Sequence, residues 1–351
     1  MENVINTATV TTQPRKRRWL RWIGRGLKGL VILLVGLLIV GFTYQTIATE
    51  QDKGLYPVRG QLYNVNGHQM NIYCTGEGSP TVILEAGGVA NSLWWYRVQE
   101  QLEGHNRVCA YDRAGQGWSE PASGSRDALT LVSELHSLLE QAGVPAPYVM
   151  VGHSFGAILT RIYAHQYPEQ VSGLVLVDSG LLIPKQFDSK SDFEGWKSSN
   201  DILQALLWGM TRFGVMRLIL PGEFKQWGFP ENIARELVAL RSTNQVFDSD
   251  YAERLPARWA LNEASASAEH LGKLPMVVLW ATEGLNFSAS DLERLHGLQQ
   301  EIATYSTNSV SRLVEGADHG TILGKEQYAQ QVTDAINDVI EAAQTGAALG
   351  Q

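Results

Sequence analysis

Two kinds of apolar pattern share this chain. Gly29 to Val40 contains no polar side chain, and the apolar character extends from Leu27 to Ile47 with few interruptions. A helix of about 20 apolar residues crosses a bilayer core, so this stretch predicts a single membrane span. After Arg59 the apolar residues come instead in short runs closed by turn-forming residues. These are Thr81–Leu84, Arg107–Tyr111, Pro147–Val151, Val171–Val177, Pro275–Trp280 and Ser309–Glu315. Runs of that length, rich in Val and Ile, predict buried strands. Between them, helical spacing predicts helices over Leu93–Leu102, Asp127–Ala142, Ala289–Tyr305 and Lys325–Ala343. In the second of these, Leu131, Leu135, Leu138 and Leu139 share one face. Gln61–Cys74 reads as two strands around the two-residue turn Asn66-Gly67. Strands that alternate with helices predict an α/β protein.

From Ile183 to about His270 the strand signals vanish. The stretch is helix-like and carries Trp196, Trp208, Met210, Phe213, Met216, Trp227, Phe247 and Trp259. An aromatic and Met-rich insertion implies an apolar binding surface, with roughly half of these residues forming the insertion's own small core.

Charge changes the picture in one respect. The net charge of −8 is unevenly spread: residues 1–53 hold eight Lys and Arg against three acidic residues, leaving 20 basic and 33 acidic on the remainder. A body that acidic repels phosphates and excludes a nucleic-acid partner. The basic flank Arg15–Lys28, with Trp19 and Trp22, precedes the apolar run. Positive charge stays in the cytoplasm, so the body is expected on the far side of the membrane. Two readings of the segment stay open, a retained single-span anchor and a cleaved signal peptide. The long leader and the lack of an Ala-x-Ala site after Tyr44 favour the anchor. Residues 1–14 are polar and unpatterned, read as disordered. The expected organisation is a basic tail over 1–26, an anchor over 27–47, a linker over 48–58, a core over 59–182 and 271–345, and a helical cap over 183–270.

The candidate chemistry lies at Gly152-His153-Ser154-Phe155-Gly156, where an apolar strand gives way at once to a helical pattern. Gly-x-Ser-x-Gly arises by chance about 0.1 times in a chain this long, and chance matches rarely join a strand to a helix. The glycines allow a turn so tight that it lifts Ser154 clear of the sheet.

With this motif, the run Asp112-Arg-Ala-Gly115-Gln-Gly117-Trp-Ser119, and His319 in Gly316-Ala-Asp-His319-Gly320, the chain resembles the α/β-hydrolase superfamily from about Arg59 to Ala343, in its esterase-like and proline-iminopeptidase-like branch. The resemblance implies a mostly parallel eight-stranded sheet flanked by helices, with the helical insertion as a cap over the site. It implies Ser154 as nucleophile, His319 as general base, and an oxyanion hole from the backbone N–H groups of Gly88 and Phe155. Relatives usually carry His-Gly where this chain has Ala86-Gly87, so the loop needs another brace; Glu85 is one possibility, a capping or salt-bridged role the other. Asp112 is expected to tie its loop, and His153 to pack beside the nucleophile. The triad's acid stays open. Asp178, at the end of the sixth strand, is favoured over Glu283, which sits one position early in the loop after the seventh, and over Asp291 and Asp318. The same resemblance makes Cys74 and Cys109 sheet neighbours, either a disulfide in an oxidising compartment or two buried thiols.

A Ser nucleophile disfavours the alkyl-ester route of haloalkane dehalogenases and epoxide hydrolases, which needs an Asp. The expected function is a membrane-anchored serine hydrolase acting on a small apolar ester or amide, without cofactor or metal. The alternatives are an aminopeptidase using cap carboxylates among Glu223, Glu231, Glu236 and Asp248, and a silent ligand-binding module on the same fold.

Overall fold

The structure is a computed structural model that describes residues 16–179, 190–253, 268–283 and 289–350. The expectations for residues 1–14, for both outer parts of the cap including Trp259, and for the side chains of Trp196 and Asp291 lie outside the described residues.

The described chain begins with one long helix, α1 (Lys16–Leu55), whose apolar side chains from Leu27 to Ile47 are mostly exposed. It is long and apolar enough to cross a membrane, with a mean hydropathy of 2.3 in its most apolar window. The stretch 48–58 was expected as a linker, and this is corrected: it is helical as far as Leu55. The reason is a polar stripe at helical spacing. Arg217 donates to Gln45 at 2.8 Å, to Thr49 at 3.1 Å and to Asp52 at 2.5 Å, so the extra turns are fastened to the cap.

Eight strands follow: β1 (Gln61–Val65), β2 (His68–Thr75), β3 (Thr81–Glu85), β4 (Val108–Tyr111), β5 (Tyr148–His153), β6 (Val171–Val177), β7 (Met276–Ala281) and β8 (Ser309–Val314). They form one sheet in the order β1-β2-β4-β3-β5-β6-β7-β8, parallel except around β2. The β1–β2 turn has φ of 51° at Asn66 and 91° at Gly67, the paired positive angles that an Asn-Gly hairpin turn requires. Cys74 and Cys109 face each other in the β2–β4 register and form a disulfide.

The continuous apolar runs divide between two cores because successive side chains point to opposite faces. On β5 and β6, Val149, Val151, Val175 and Val177 enter one core, whereas Met150, Leu174 and Leu176 enter the other. The first core is closed by α2 (Tyr96–Leu102) and by α11 (Glu326–Thr345), through Val98, Val332, Ile336 and Val339. The second is closed by α3 (Ala128–Gln141) and α4 (Phe155–Gln166). The four leucines of α3 are buried together, and Asp127 caps that helix by accepting from the Thr130 amide at 2.9 Å.

Between β6 and β7 the described chain is helical: α5 (Lys190–Arg212), α6 (Met216–Trp227), α7 (Glu231–Arg241) and α8 over 244–253. Met216, Leu220, Phe224, Leu237 and Phe247 join the first core, so part of the aromatic and Met content is structural. The C-terminal third adds α9 (Ala289–Ala303) and α10 (Thr321–Gly324). The chain winds outward from β3 to β4 and then back across to β5. The carboxyl ends of β3 and β5 therefore border the crevice where α/β sheets place their sites.

Candidate active site

Ser154 sits at the end of β5 with φ 55° and ψ −119°, a strained backbone for a residue with a side chain. Its two glycines show why the turn closes only with this sequence. A Cβ on Gly152 would lie 2.5 Å from the Cα of Ala157, and one on Gly156 would lie 2.5 Å from the Glu85 oxygen. Ser154 is the N-cap of α4, yet its hydroxyl caps nothing, so Oγ is free for other work. Its amide donates to the Val177 oxygen at 2.9 Å, holding the turn beside the end of β6.

The residue after Val177 is Asp178, also at positive φ (47°). Its Oδ2 lies 2.5 Å from His319 Nδ1, and its Oδ1 accepts from the Ala281 amide at 3.2 Å. Burial alone would raise this carboxyl. The hydrogen bond and charge of His319 outweigh burial and hold it below the usual carboxylate range. An ionised carboxylate only accepts, so Nδ1 carries the imidazole proton and Nε2 is left as the free ring nitrogen. The other carboxylates are placed elsewhere. Glu283 is exposed, and its amide donates to the Ala317 oxygen at 2.8 Å. Asp318 accepts from the amides of Gly320 and Thr321 at the start of α10. Among the described residues, the hydrogen bonds of His319 run to Asp178 and His153 and none to Ser154 Oγ, a kind of contact that unliganded sites commonly tighten only on binding.

His153 holds the two loops together. Its Nε2–H donates to the His319 oxygen at 3.0 Å, and its ring lies 4.5 Å from the His319 ring, with Trp94 and Trp95 on other sides. Burial, then the neighbouring His319, push its imidazole down to about 3, so it is a neutral packing group.

The loop after β3 passes over Ser154: a Cβ on Gly87 would lie 3.2 Å from Ser154 Cβ. Among the described residues, the N–H groups of Gly88 and Phe155 have no protein acceptor. The brace missing from the sequence pattern is Arg113. Its guanidinium donates to Glu85 at 2.6 Å, to the Ala86 and Gly87 oxygens at 2.7 Å each, and to Glu253 of α8 at 3.1 Å. Burial drives the Glu85 carboxyl up to about 7 against the pull of Arg113 and a hydrogen bond from Tyr111. Asp250 of α8 accepts from the Val89 amide at 3.0 Å, so the cap holds the same loop a second time. Arg113, Asp250 and Glu253 escaped the sequence reading. Arg113 had one visible signal, its place inside the Asp112 to Ser119 run, where Asp112 ties the loop by accepting from Ser92, Trp118 and Asn71.

On the cap side, Trp94, Phe224, Trp227 and Phe229 pack edge to face, and Arg241 lies over three of these rings. Trp227 presses on the loop that carries His319, since a Cβ on Gly320 would lie 2.3 Å from its ring. The described residues contain no group of His, Cys, Asp and Glu arranged to hold a metal.

A family model for the alpha/beta hydrolase fold matches residues 80–213. The uncharacterised protein YbdG of Bacillus subtilis (strain 168) is 28% identical over 159 residues, 45% of this chain and 48% of YbdG. The chain thus spans less than half the length of the curated relatives it matches. Among solved structures, a Vigna radiata epoxide hydrolase mutant superposes with a TM-score of 0.64 at 18% identity, over 80% of this chain and 98% of that one. A candidate lipase from Acinetobacter baumannii AYE superposes with a TM-score of 0.59 at 20% identity, over 84% of this chain and 96% of that one. Identities this low carry the fold and no more, and the fold agrees with the sheet order and with the strand-turn-helix at Ser154. The chain has the alpha/beta hydrolase fold, and its residues 80–213 match the model of that family.

Proposed function

We propose that the protein is a serine hydrolase that cleaves an apolar carboxylic ester through an acyl-enzyme, with Ser154, His319 and Asp178 as its triad. The observation that carries this reading is the 2.5 Å contact of Asp178 with His319 Nδ1, beside a nucleophile turn whose hydroxyl is uncommitted. Asp178 keeps the imidazole in the tautomer whose Nε2 accepts the Ser154 proton, and stabilises the imidazolium that forms. Ser154 Oγ then adds to the ester carbonyl. The Gly88 and Phe155 amides receive the oxyanion, and His319 returns the proton to the departing alkoxide. Water repeats the sequence on the acyl-enzyme.

The ion pairs of the cap weigh against the aminopeptidase alternative. Glu223 is paired with Arg241 and Glu236 with Arg59, which leaves these two carboxylates engaged; Glu231 meets Arg235 only on the exposed surface, and burial raises the Asp248 carboxyl, which disfavours the charged form that a substrate amine needs. The exposed apolar helix α1 and its basic flank support an anchor with the catalytic body outside the cytoplasm, where the disulfide is stable. Labelling with a fluorophosphonate, followed by a chromogenic ester series of increasing acyl length, tests the reading. Ser154→Ala should lose both labelling and turnover while staying folded; undiminished labelling of the variant would remove Ser154 from the mechanism.

A further inference from the structure

Among the described side chains of the body, the exposed large apolar ones gather on helices α5 and α6. α6 buries Met216, Leu220 and Phe224 in the core, yet Leu218 and Ile219 on its outer face are 76% and 47% exposed. On α5, Ile202, Leu203, Leu206 and Trp208 are exposed as well, at 76%, 51%, 58% and 41%. A helix apolar on both faces needs an apolar neighbour on each, and a patch this large on one corner marks a docking surface.

The neighbour is identified by where this corner is fastened. α5 and α6 meet at 102°, and their junction packs on α1. A Cβ on Gly41 would lie 2.6 Å from the Phe213 oxygen, and one on Gly214 would lie 2.8 Å from Tyr44. Arg217 grips Gln45, Thr49 and Asp52, while Gln45 donates to the Ser242 oxygen at 2.5 Å. Gly41 and Gln45 lie only about 9 and 3 Å along the helix from Ile47, the outer end of the apolar stretch. The junction is therefore level with the outer boundary of the span. Arg212 lies over the rings of Phe42 and Trp208, at 5.2 and 5.6 Å, a cation and an aromatic side by side at that depth.

We infer that the α5–α6 corner of the cap is seated in the outer leaflet of the same bilayer that α1 spans, with Ile202, Leu203, Leu206, Leu218 and Ile219 among the acyl chains and Arg212 at the headgroups. The proposal rests on the anchor reading of α1. The exposed apolar surface of the corner is continuous with that of α1, and lipid is the one partner that covers both. This seating orients the cap, and the carboxyl edge of the sheet beneath it, toward the membrane.

The test uses the full chain in phosphatidylcholine vesicles, with a nitrobenzoxadiazole dye on an introduced cysteine. The sites are Leu218→Cys and Ile202→Cys on the corner, Leu34→Cys inside α1 and Gln330→Cys on exposed α11. Doxyl groups near the headgroup should quench the two corner dyes by about two-fold or more, because interfacial helices sink only ~5–10 Å. Deeper doxyl groups should quench the Leu34 site, and the Gln330 site should answer only to aqueous iodide. Iodide quenching at both corner sites with lipid quenching at Leu34 would overturn the seating and leave the anchor standing. Corner dyes reached by neither quencher would overturn it in favour of a second protein surface. Loss of lipid quenching at Leu34 as well as the corner would defeat anchor and seating together.

Discussion

His153 donates its Nε2–H to the backbone oxygen of His319 at 3.0 Å, so the residue before Ser154 holds the loop that carries His319. This contact joins two chain segments at the carboxyl ends of β5 and β8, which are not neighbours in the sheet. Together with the bond from the Ser154 amide to Val177, it ties the ends of β5, β6 and β8 together without using the side chains of Ser154, Asp178 or His319.

The pH response of His153 follows from its burial. Its folded value of about 3 lies below the ordinary 6.5, so between these values the unfolded chain binds a proton that the folded chain refuses. Stability from this residue is complete above 6.5 and is lost on acidification toward 3, on the order of 5 kcal/mol across the window. Glu85, raised to about 7, acts with the opposite sign, losing stability as pH rises through its own window. The difference between wild type and His153→Gln isolates the histidine, since the amide can still donate to the His319 oxygen. The variant's melting temperature should fall less steeply with acid; parallel profiles would show that His153 is protonated freely in the fold.

Asp178 and Glu283 should separate in kinetics. Asp178→Asn removes the acceptor that selects the imidazole tautomer, and kcat should fall by up to ~10⁴ with the fold intact. Glu283→Gln, on an exposed side chain, should leave kcat within about two-fold, as surface changes usually do. Near-full activity in Asp178→Asn, with loss in Glu283→Gln, would move the acid to the seventh-strand loop.

Arg113 should be intolerant of even its conservative replacement. Lys keeps the charge but lacks the planar fork that reaches Glu85, Ala86, Gly87 and Glu253 at once. Arg113→Lys should lower kcat by about 10-fold or more as the oxyanion loop loosens. Arg113→Met should cost about 3–5 kcal/mol by removing the buried cation between Glu85 and Glu253, which leaves Glu85 to Tyr111 and Glu253 to Arg126. Wild-type kcat and melting temperature in Arg113→Lys would show that the loop is held by other contacts.

The disulfide between Cys74 and Cys109 spans 35 residues, and in the chain-entropy account it stabilises the fold by about 3–4 kcal/mol. Cys74→Ala with Cys109→Ala should lower the denaturant midpoint accordingly. Intact-mass analysis of protein from its native compartment gives the independent check, because two free thiols there would remove this contribution.

Much of the fold was legible because its signals are local. Asn66-Gly67 demands a hairpin turn by its own backbone preferences, and Gly152 and Gly156 permit a turn that any Cβ would block. The short Val-rich runs and the leucines of α3 announced strand and helix by spacing alone. What the sequence left undecided is set by contacts between distant segments. Asp178 meets His319 across 141 residues, and Arg113 meets Glu253 across 140, pairings that depend on which strand ends the sheet brings together. Nothing in the spacing around Glu85 points to Arg113 as its partner. Likewise 48–55 looked like a linker, because its helix is secured by Arg217, more than 160 residues away in the chain. Residue types and local turns are written in consecutive positions; the pairing of Asp178 with His319 is made in space, where β7 is the nearer neighbour of β8 and yet the Asp178 carboxylate reaches across its end, held by the Ala281 amide.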